Sequence, residues 1–402
     1  MAVAASPRTG TTAERPPAPA ARMFRLTLPP AELIVHSALP GLREAIGALV
    51  HPLFEVTDVE DAESPGVPRL TVTARAADSG PPAPWAAGTA PQLLVHPDGP
   101  RYTVLERVPE RTVLLRDGEA DSAPLLVTAV PATGRVAAEV PDTGPAAVRA
   151  VVRLLGTLIG AQLTGRDAVF LHGSAVAVGG SSVMMLGPKH RGKSSLAFLA
   201  VTRGGADFVS DDTLVAWAPQ PGEPPALRGW PKRVGISKAV LAGHPARHAF
   251  ERATLRRHGS GTPQVPADAA WSTSPGGRER LFADLDEFTA LTGAAVATGS
   301  RPAGVLLPLA DRDRRGWEIE PVTDPSEALD EALLSGPDLR HFTDYLGLLP
   351  RPVPEPAVRA GVLAAFGTLP CVRVRYGPDV NDDFPRFWDE VTGALDLPGG
   401  AR

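Results

Sequence analysis

Residues 187 to 194 read Gly187-Pro188-Lys189-His190-Arg191-Gly192-Lys193-Ser194, a G-x-x-x-x-G-K-S string of the kind that wraps a phosphate. Its two glycines let the backbone curl so that successive N–H groups converge on anionic oxygens, and the dipole of a following helix favours the same charge. Lys193 is placed to reach the β- and γ-phosphates of a nucleotide and the Ser194 hydroxyl to ligate Mg2+, while Ser195 continues the binding set into the helix. Lys189, His190 and Arg191 either add charge over the phosphates or stand solvated at the crest of the loop. Downstream lies the pair Asp211-Asp212. One carboxylate suits Mg2+, directly or through water; a second is surplus for the metal and suits a base that takes the proton of an attacking hydroxyl. A turn or helix-cap pair is the structural alternative, and the strand-like Thr213-Leu214-Val215 that follows speaks against it. Upstream, His172 precedes Gly173. If its strand pairs antiparallel with 181–186, the imidazole stands where the loop begins, within reach of a γ-phosphate or metal; a buried core histidine is the ordinary alternative.

Such a site needs a strand, loop, helix, strand frame. Residues 168–178 and 181–186 read as two strands joined by Gly179-Gly180, 193–201 as a helix and 207–210 as a short strand. Before them, a boundary is expected at Pro141-Asp142-Thr143-Gly144-Pro145, with Asp142 or Thr143 capping a helix whose stripe is Val148, Val151, Val152, Leu155, Leu158 and Ile159, ending near Gly165. Period-two alternation at 25–28, 69–74, 102–108, 111–115 and 135–140, with one helix at 42–50, predicts a β-rich α+β accessory domain over 23–142 after a disordered tail, 1–22. His36, His51 and His96 are dispersed and suggest no site. The catalytic unit is expected over 143–400. Residues 219–280 form a loop-rich insertion in it, and Gly259 to Gly277 is either a lid or a plain insertion. Strands at 304–309 and 371–376 and helices at 326–334, 338–349, 356–366 and 384–395 complete the α/β reading. The basic stretch Arg247 to His258 reads as a solvated face, with a substrate carboxylate or phosphate as the alternative; Pro245 between His244 and His248 weakens any metal pair there.

The 402 residues suggest roughly two or three domains, and 43% hydrophobic residues can fill their cores. Pro 44 and Gly 40 imply many turns. A net charge of −5 with both signs interspersed argues against a nucleic-acid partner. The single Cys371 rules out an internal disulfide framework. No run approaches the ~18–20 apolar residues of a membrane span, since Gly156 and Thr157 interrupt the richest one, and the first 22 residues lack a signal-peptide core. The expected setting is therefore cytoplasmic, with no membrane partner.

Taken together, Leu171-His172-Gly173, the hairpin, the glycine-framed loop and Val209-Ser210-Asp211-Asp212 resemble the C-terminal catalytic domain of HPr kinase/phosphorylase and the wider HPr-kinase-like kinases. The resemblance is specific over about 168–216. It implies a P-loop fold related to phosphoenolpyruvate carboxykinase, with ATP and Mg2+ as cofactors and transfer to a hydroxyl, usually a serine of a protein or peptide. By position it implies that Gly187 through Ser195 hold the nucleotide, Ser194 and Asp212 hold the metal, Asp211 is the base, and His172 and Lys193 attend the transferring phosphate. The family's Glu-x-Arg-Gly segment has as its nearest counterpart Ala226-Leu227-Arg228-Gly229, without the glutamate, and the glycine-rich substrate loop is not recognisable. These departures point away from HPr itself, the reverse phosphorylase reaction and a hexamer, and towards stand-alone members, some of which phosphorylate natural-product precursor peptides. A homo-oligomer is still admitted. An ATP-sensing scaffold without catalysis, an HPr-type phosphocarrier kinase and a P-loop ATPase remain the alternatives.

Overall fold

The computed structural model describes residues 22–60, 66–74, 92–94, 101–117, 122–141, 144–218, 225–242, 244–257, 271–273, 279–335, 342, 345–348 and 356–397. The expected tail up to residue 21, nearly all of 259–277, most of the helix expected at 338–349 and the expected caps Asp142 and Thr143 lie outside them.

Alternation of apolar and polar residues builds the first layer. It comprises β1 (Arg22–Leu28), β2 (Ala31–Ser37), α1 (Leu42–Val50), β3 (Glu55–Asp58), β4 (Arg69–Ala74), β5 (Gln92–Leu94), β6 (Tyr102–Val108), β7 (Arg111–Arg116), β8 (Leu125–Val130) and β9 (Arg135–Val140). The strands form one nine-stranded sheet in the order β3-β1-β2-β4-β9-β8-β7-β6-β5, with β4 parallel to both β2 and β9 and the other pairs antiparallel. On β1, Phe24, Leu26 and Leu28 are buried and their neighbours are not, which turns every second residue to the core.

Helix α2 (Pro145–Thr164) follows, with Gly144 at its N-cap and Pro145 in its first turn. It corrects the reading that no stretch has the length and apolarity of a membrane span, since it has 20 residues and a mean hydropathy of 1.4. Gly156 and Thr157 do not interrupt it, because the Thr157 hydroxyl donates to the Arg153 carbonyl at 3.1 Å within the helix. The apolar surface is spent inside the protein: 72% of the window is buried, and the helix packs on α1, β2 and β8. The core of the nine-stranded sheet thus continues through α2 to Phe170, Val215 and Trp230.

Beyond α2 the elements are β10 (Ala168–Leu171), β11 (Ser174–Val178), β12 (Ser181–Met185), α3 (Lys193–Arg203), β13 (Asp207–Ser210), β14 (Leu214–Trp217), β15 (Ala226–Gly229), β16 (Val234–Ser237), α4 (Lys238–Leu241), α5 (Arg247–Arg257), β17 (Ser272–Thr273), β18 (Glu279–Ala283), α6 (Leu285–Thr292), β19 (Arg301–Ala310), β20 (Trp317–Pro321), α7 (Ser326–Ala332), α8 (Pro356–Gly367), β21 (Cys371–Tyr376) and α9 (Phe384–Ala394). Three sheets result: six strands in the order β13-β11-β12-β19-β21-β20, and two of three strands, β10-β14-β15 and β16-β18-β17. Residues 219–280 are therefore not simply loop-rich. Their strands have two to five residues each, too short for alternation to stand out among the prolines and glycines.

The single strand expected over 168–178 is broken at His172-Gly173. β10 pairs with β14 in one sheet, whereas β11 pairs with β12 and β13 in another. The His172 N–H leaves the ladder for the Ala332 carbonyl at 2.7 Å. Gly173 is required there, since a Cβ would lie 2.7 Å from Leu186 Cδ2 and 3.0 Å from the Met185 carbonyl oxygen.

Candidate active site

Strand direction gathers the motif residues. β11 is antiparallel to both β12 and β13, so the C-terminal ends of β12 and β13 and the start of β11 share one end of the sheet. The G-x-x-x-x-G-K-S string leaves β12 there, Asp211-Asp212 leaves β13 there, and His172 precedes β11 there. The end of a sheet where such strands give out into loops and a helix N-terminus is a general place for ligand sites in α/β proteins.

The loop is curled as the string predicts. Gly187, His190 and Gly192 have φ of +119°, +70° and +102°, and Gly192 is the N-cap of α3. A Cβ at Gly192 would overlap the Tyr376 hydroxyl, so β21 closes the back of the loop. The Arg191 carbonyl accepts from the Ala310 amide at 3.1 Å, which ties the loop to β19. Lys193 is buried, and its ammonium donates to the carbonyls of Gly187 at 2.7 Å and Pro188 at 3.0 Å, folding the loop around the charge. Burial pulls the Lys193 ammonium below its usual value and Lys189 adds to this, against the pull of Asp212 and Asp211.

The two aspartates differ in setting. Asp211 is 6% exposed; its Oδ1 accepts from the Ser174 hydroxyl at 2.7 Å and its Oδ2 from the Gly235 amide at 3.2 Å, and the Ser194 hydroxyl also favours its ionised form. Burial pushes its carboxyl above the ordinary value, further raised by Asp212 and only partly offset by those three donors. Asp212 sits in the left-handed region at φ +70°, which turns the chain out of β13 and into β14. Its side chain is about half exposed, with Oδ1 3.4 Å from His172 Nδ1 and Oδ2 ion-paired with Lys232. Burial opposes ionisation there, but Lys232, His172 and Lys193 together hold the carboxyl below its usual value. Burial likewise lowers His172, assisted by Lys193, Lys232 and Lys189 and opposed by Asp212, so the imidazole is neutral at pH 7.

His172, Lys193, Ser194, Asp211 and Asp212 therefore lie together. Ser195 is in the first turn of α3, and Pro188 lies in the loop between the turning glycines. Lys189, His190 and Arg191 occupy the exposed crest of the loop, where Lys189 acts electrostatically on both His172 and Lys193. The sequence reading missed Lys232, Ser174 and Gly235. Lys232 had the signal of a lysine beside Pro231 in the connection between two strands, but only the fold shows that this connection brings it to Asp212. The basic stretch on α5 is partly neutralised: buried Glu251 accepts from Arg247 at 3.1 Å and Trp271 at 3.2 Å, and pairs with His248 at 3.0 Å.

The donor set fits Mg2+. Ser194 and the two carboxylates are hard oxygen ligands, and Mg2+ commonly takes one or two such groups with the remainder from phosphate and water. Among the described residues no three or more His, Cys, Asp or Glu cluster so as to hold a metal.

No protein-family model matches the chain, and no curated protein does. Among solved structures, the HPr(Ser) kinase/phosphatase from Coxiella burnetii aligns with 56% of this chain and 94% of its own length, at 12% identity and a TM-score of 0.22. A superposition that loose carries no argument, and the mixed α/β architecture rests on the sheets described above.

Proposed function

We propose that this chain is an ATP- and Mg2+-dependent kinase that transfers the γ-phosphate to a serine hydroxyl of a peptide or protein, a natural-product precursor peptide among the candidates. The observation that carries the reading is the gathering of Lys193, Ser194, Asp211, Asp212 and His172 at one end of the sheet, where β12 gives out into the loop and β13 into the two aspartates. The curled loop and α3 hold the triphosphate, and Lys193 exchanges its carbonyl partners for phosphate oxygens. Bound between Ser194 and Asp212, Mg2+ would neutralise charge on the phosphates. Asp211 takes the proton from the acceptor hydroxyl, whose oxygen bonds to the γ-phosphorus as the bond to the β–γ bridging oxygen breaks and ADP leaves. A carboxyl raised by burial holds that proton better than an ordinary one. His172, neutral and 3.4 Å from Asp212, orients that carboxylate.

A second reading, an ATP sensor without catalysis, is favoured by one feature: Asp212 is already paired with Lys232. The test is incubation of the full chain with γ-labelled ATP, Mg2+ and serine peptides encoded beside its gene. Label on the peptide, lost in Asp211→Asn but with ATP binding kept, is the expected result. ATP binding with no label on any acceptor favours the sensor, and phosphate release without an acceptor favours an ATPase.

A further inference from the structure

The outward face of the β16–β18 pair adjoins Asp211, and nothing in the reaction so far uses it. Val234, Ile236, Leu281 and Ala283 point into the core, so Gly235, Ser237, Arg280 and Phe282 form the opposite face. Gly235 pairs with Phe282 and Ser237 with Arg280. Gly235 is the junction: its amide bonds Asp211, and a Cβ there would lie 3.7 Å from Asp211 Oδ2 and 3.5 Å from Phe282 Cε1. The Phe282 ring carries two guanidinium groups, Arg233 and Arg280, each 5.4 Å from its centroid. Lys232 stands next in the chain, at Asp212. The nearest acid on the same strand, Glu279, is taken by Lys238, which donates to both its oxygens at 2.8 Å. In a chain of net charge −5, this is a local cationic surface with an aromatic floor.

We propose that this face is the acceptor subsite and that it takes an acidic peptide, a serine flanked by glutamate or aspartate side chains. The proposal rests on the kinase reading above. The Arg280 guanidinium fork matches a carboxylate two oxygens at a time, and stacking on Phe282 keeps it outstretched. Spacing makes the preference specific. Arg280 faces Ser237, two residues along β16 from Gly235, a step of about 7 Å on a strand. A peptide extended over the face with its serine at Asp211 therefore places the side chain two residues from the serine at Arg280.

The test uses the full chain with Mg2+ and a non-hydrolysable ATP analogue, titrated into three labelled peptides of equal length. These carry glutamate, glutamine or lysine two residues to either side of one serine. Fluorescence anisotropy is expected to rank them glutamate, glutamine, lysine, with about fivefold or more between the first two, as for a charge-assisted contact. Arg280→Glu should reverse the order of the glutamate and lysine peptides. Phe282→Leu should weaken the glutamate peptide about twofold, since it removes the stack and keeps the charges. ATP affinity measured without peptide is the control that both variants fold. Equal affinity for the three peptides, no binding of the glutamate peptide, or an unchanged ranking in Arg280→Glu would overturn the proposal. The underlying reading fails separately: a glutamate preference in binding with no phosphate incorporated from ATP discards the kinase and keeps the acidic-peptide site.

Discussion

Replacement of Gly192 by alanine tests whether the loop is held from behind by β21. Two costs follow from the geometry. A side chain at φ +102° meets backbone strain of about 1–2 kcal/mol. The new methyl would also overlap the Tyr376 hydroxyl and sit 3.1 Å from its Cζ, part of a packed core, and 3.3 Å from Ala310 Cβ. Overpacking of that kind costs about 1–3 kcal/mol. Together, Gly192→Ala should lose about 2–5 kcal/mol. Urea unfolding followed by tryptophan fluorescence reads it, because Trp317 and Trp388 belong to the same core as Tyr376. Tyr376→Phe removes the atom that overlaps, and in the double variant it should return about 1–2 kcal/mol, the packing share, while the backbone share persists. ATP affinity should fall in Gly192→Ala and recover in part alongside stability. A Gly192→Ala protein as stable as the parent, or one that Tyr376→Phe does not rescue, would refute the idea that Tyr376 shapes the loop.

Other outcomes are expected from the same geometry. Lys193→Ala should weaken ATP binding at least about tenfold by calorimetry, because it removes the buried cation that the loop folds around. Asp211→Asn should slow phosphate transfer about 10²–10⁴-fold with the ATP Kd nearly unchanged. Ser174→Ala removes a hydrogen bond that favours the ionised Asp211, so the acidic limb of the rate profile should move to higher pH. In the metal-free protein, His172 should titrate below 6.5 by NMR; Asp212→Asn should lower it further and Lys232→Met should raise it. Because the folded imidazole resists protonation, stability should decline as pH falls from 6.5 towards the folded value, where the unfolded chain takes up the proton first.

What was legible in the sequence was local. The G-x-x-x-x-G-K-S string, the helix after it and the Asp207–Ser210 strand are short-range patterns, and all three elements form where they were expected. The convergence of His172 with Asp212 needed only the antiparallel pairing of neighbouring strands. The break between β10 and β11 was not legible, because Ala168–Leu171 and Ser174–Val178 are equally apolar and the deciding contact, Gly173 against Leu186 across the hairpin, is a matter of side-chain packing. Lys232, Ser174 and Gly235 escaped for a related reason: each acts through one long-range approach to an aspartate, and no periodicity records such approaches. The helix α2 itself was legible from its stripe; what Gly156 and Thr157 hid was its length of apolar surface, because they interrupt a linear hydropathy count but not a helix.

One cluster of rings bears on how the protein can be cut. Trp230 makes edge-on contacts with Phe54, Phe170 and Phe342, and its backbone amide and carbonyl both engage the Ser210 hydroxyl at 3.2 Å, one residue before Asp211. Phe54 belongs to the nine-stranded half. A truncation starting at residue 141 would strip that ring away, bare the greasy flank of α2, and slacken the stretch that carries Lys232. The half that carries the glycine-framed loop does not detach cleanly, and a fragment starting there should be insoluble.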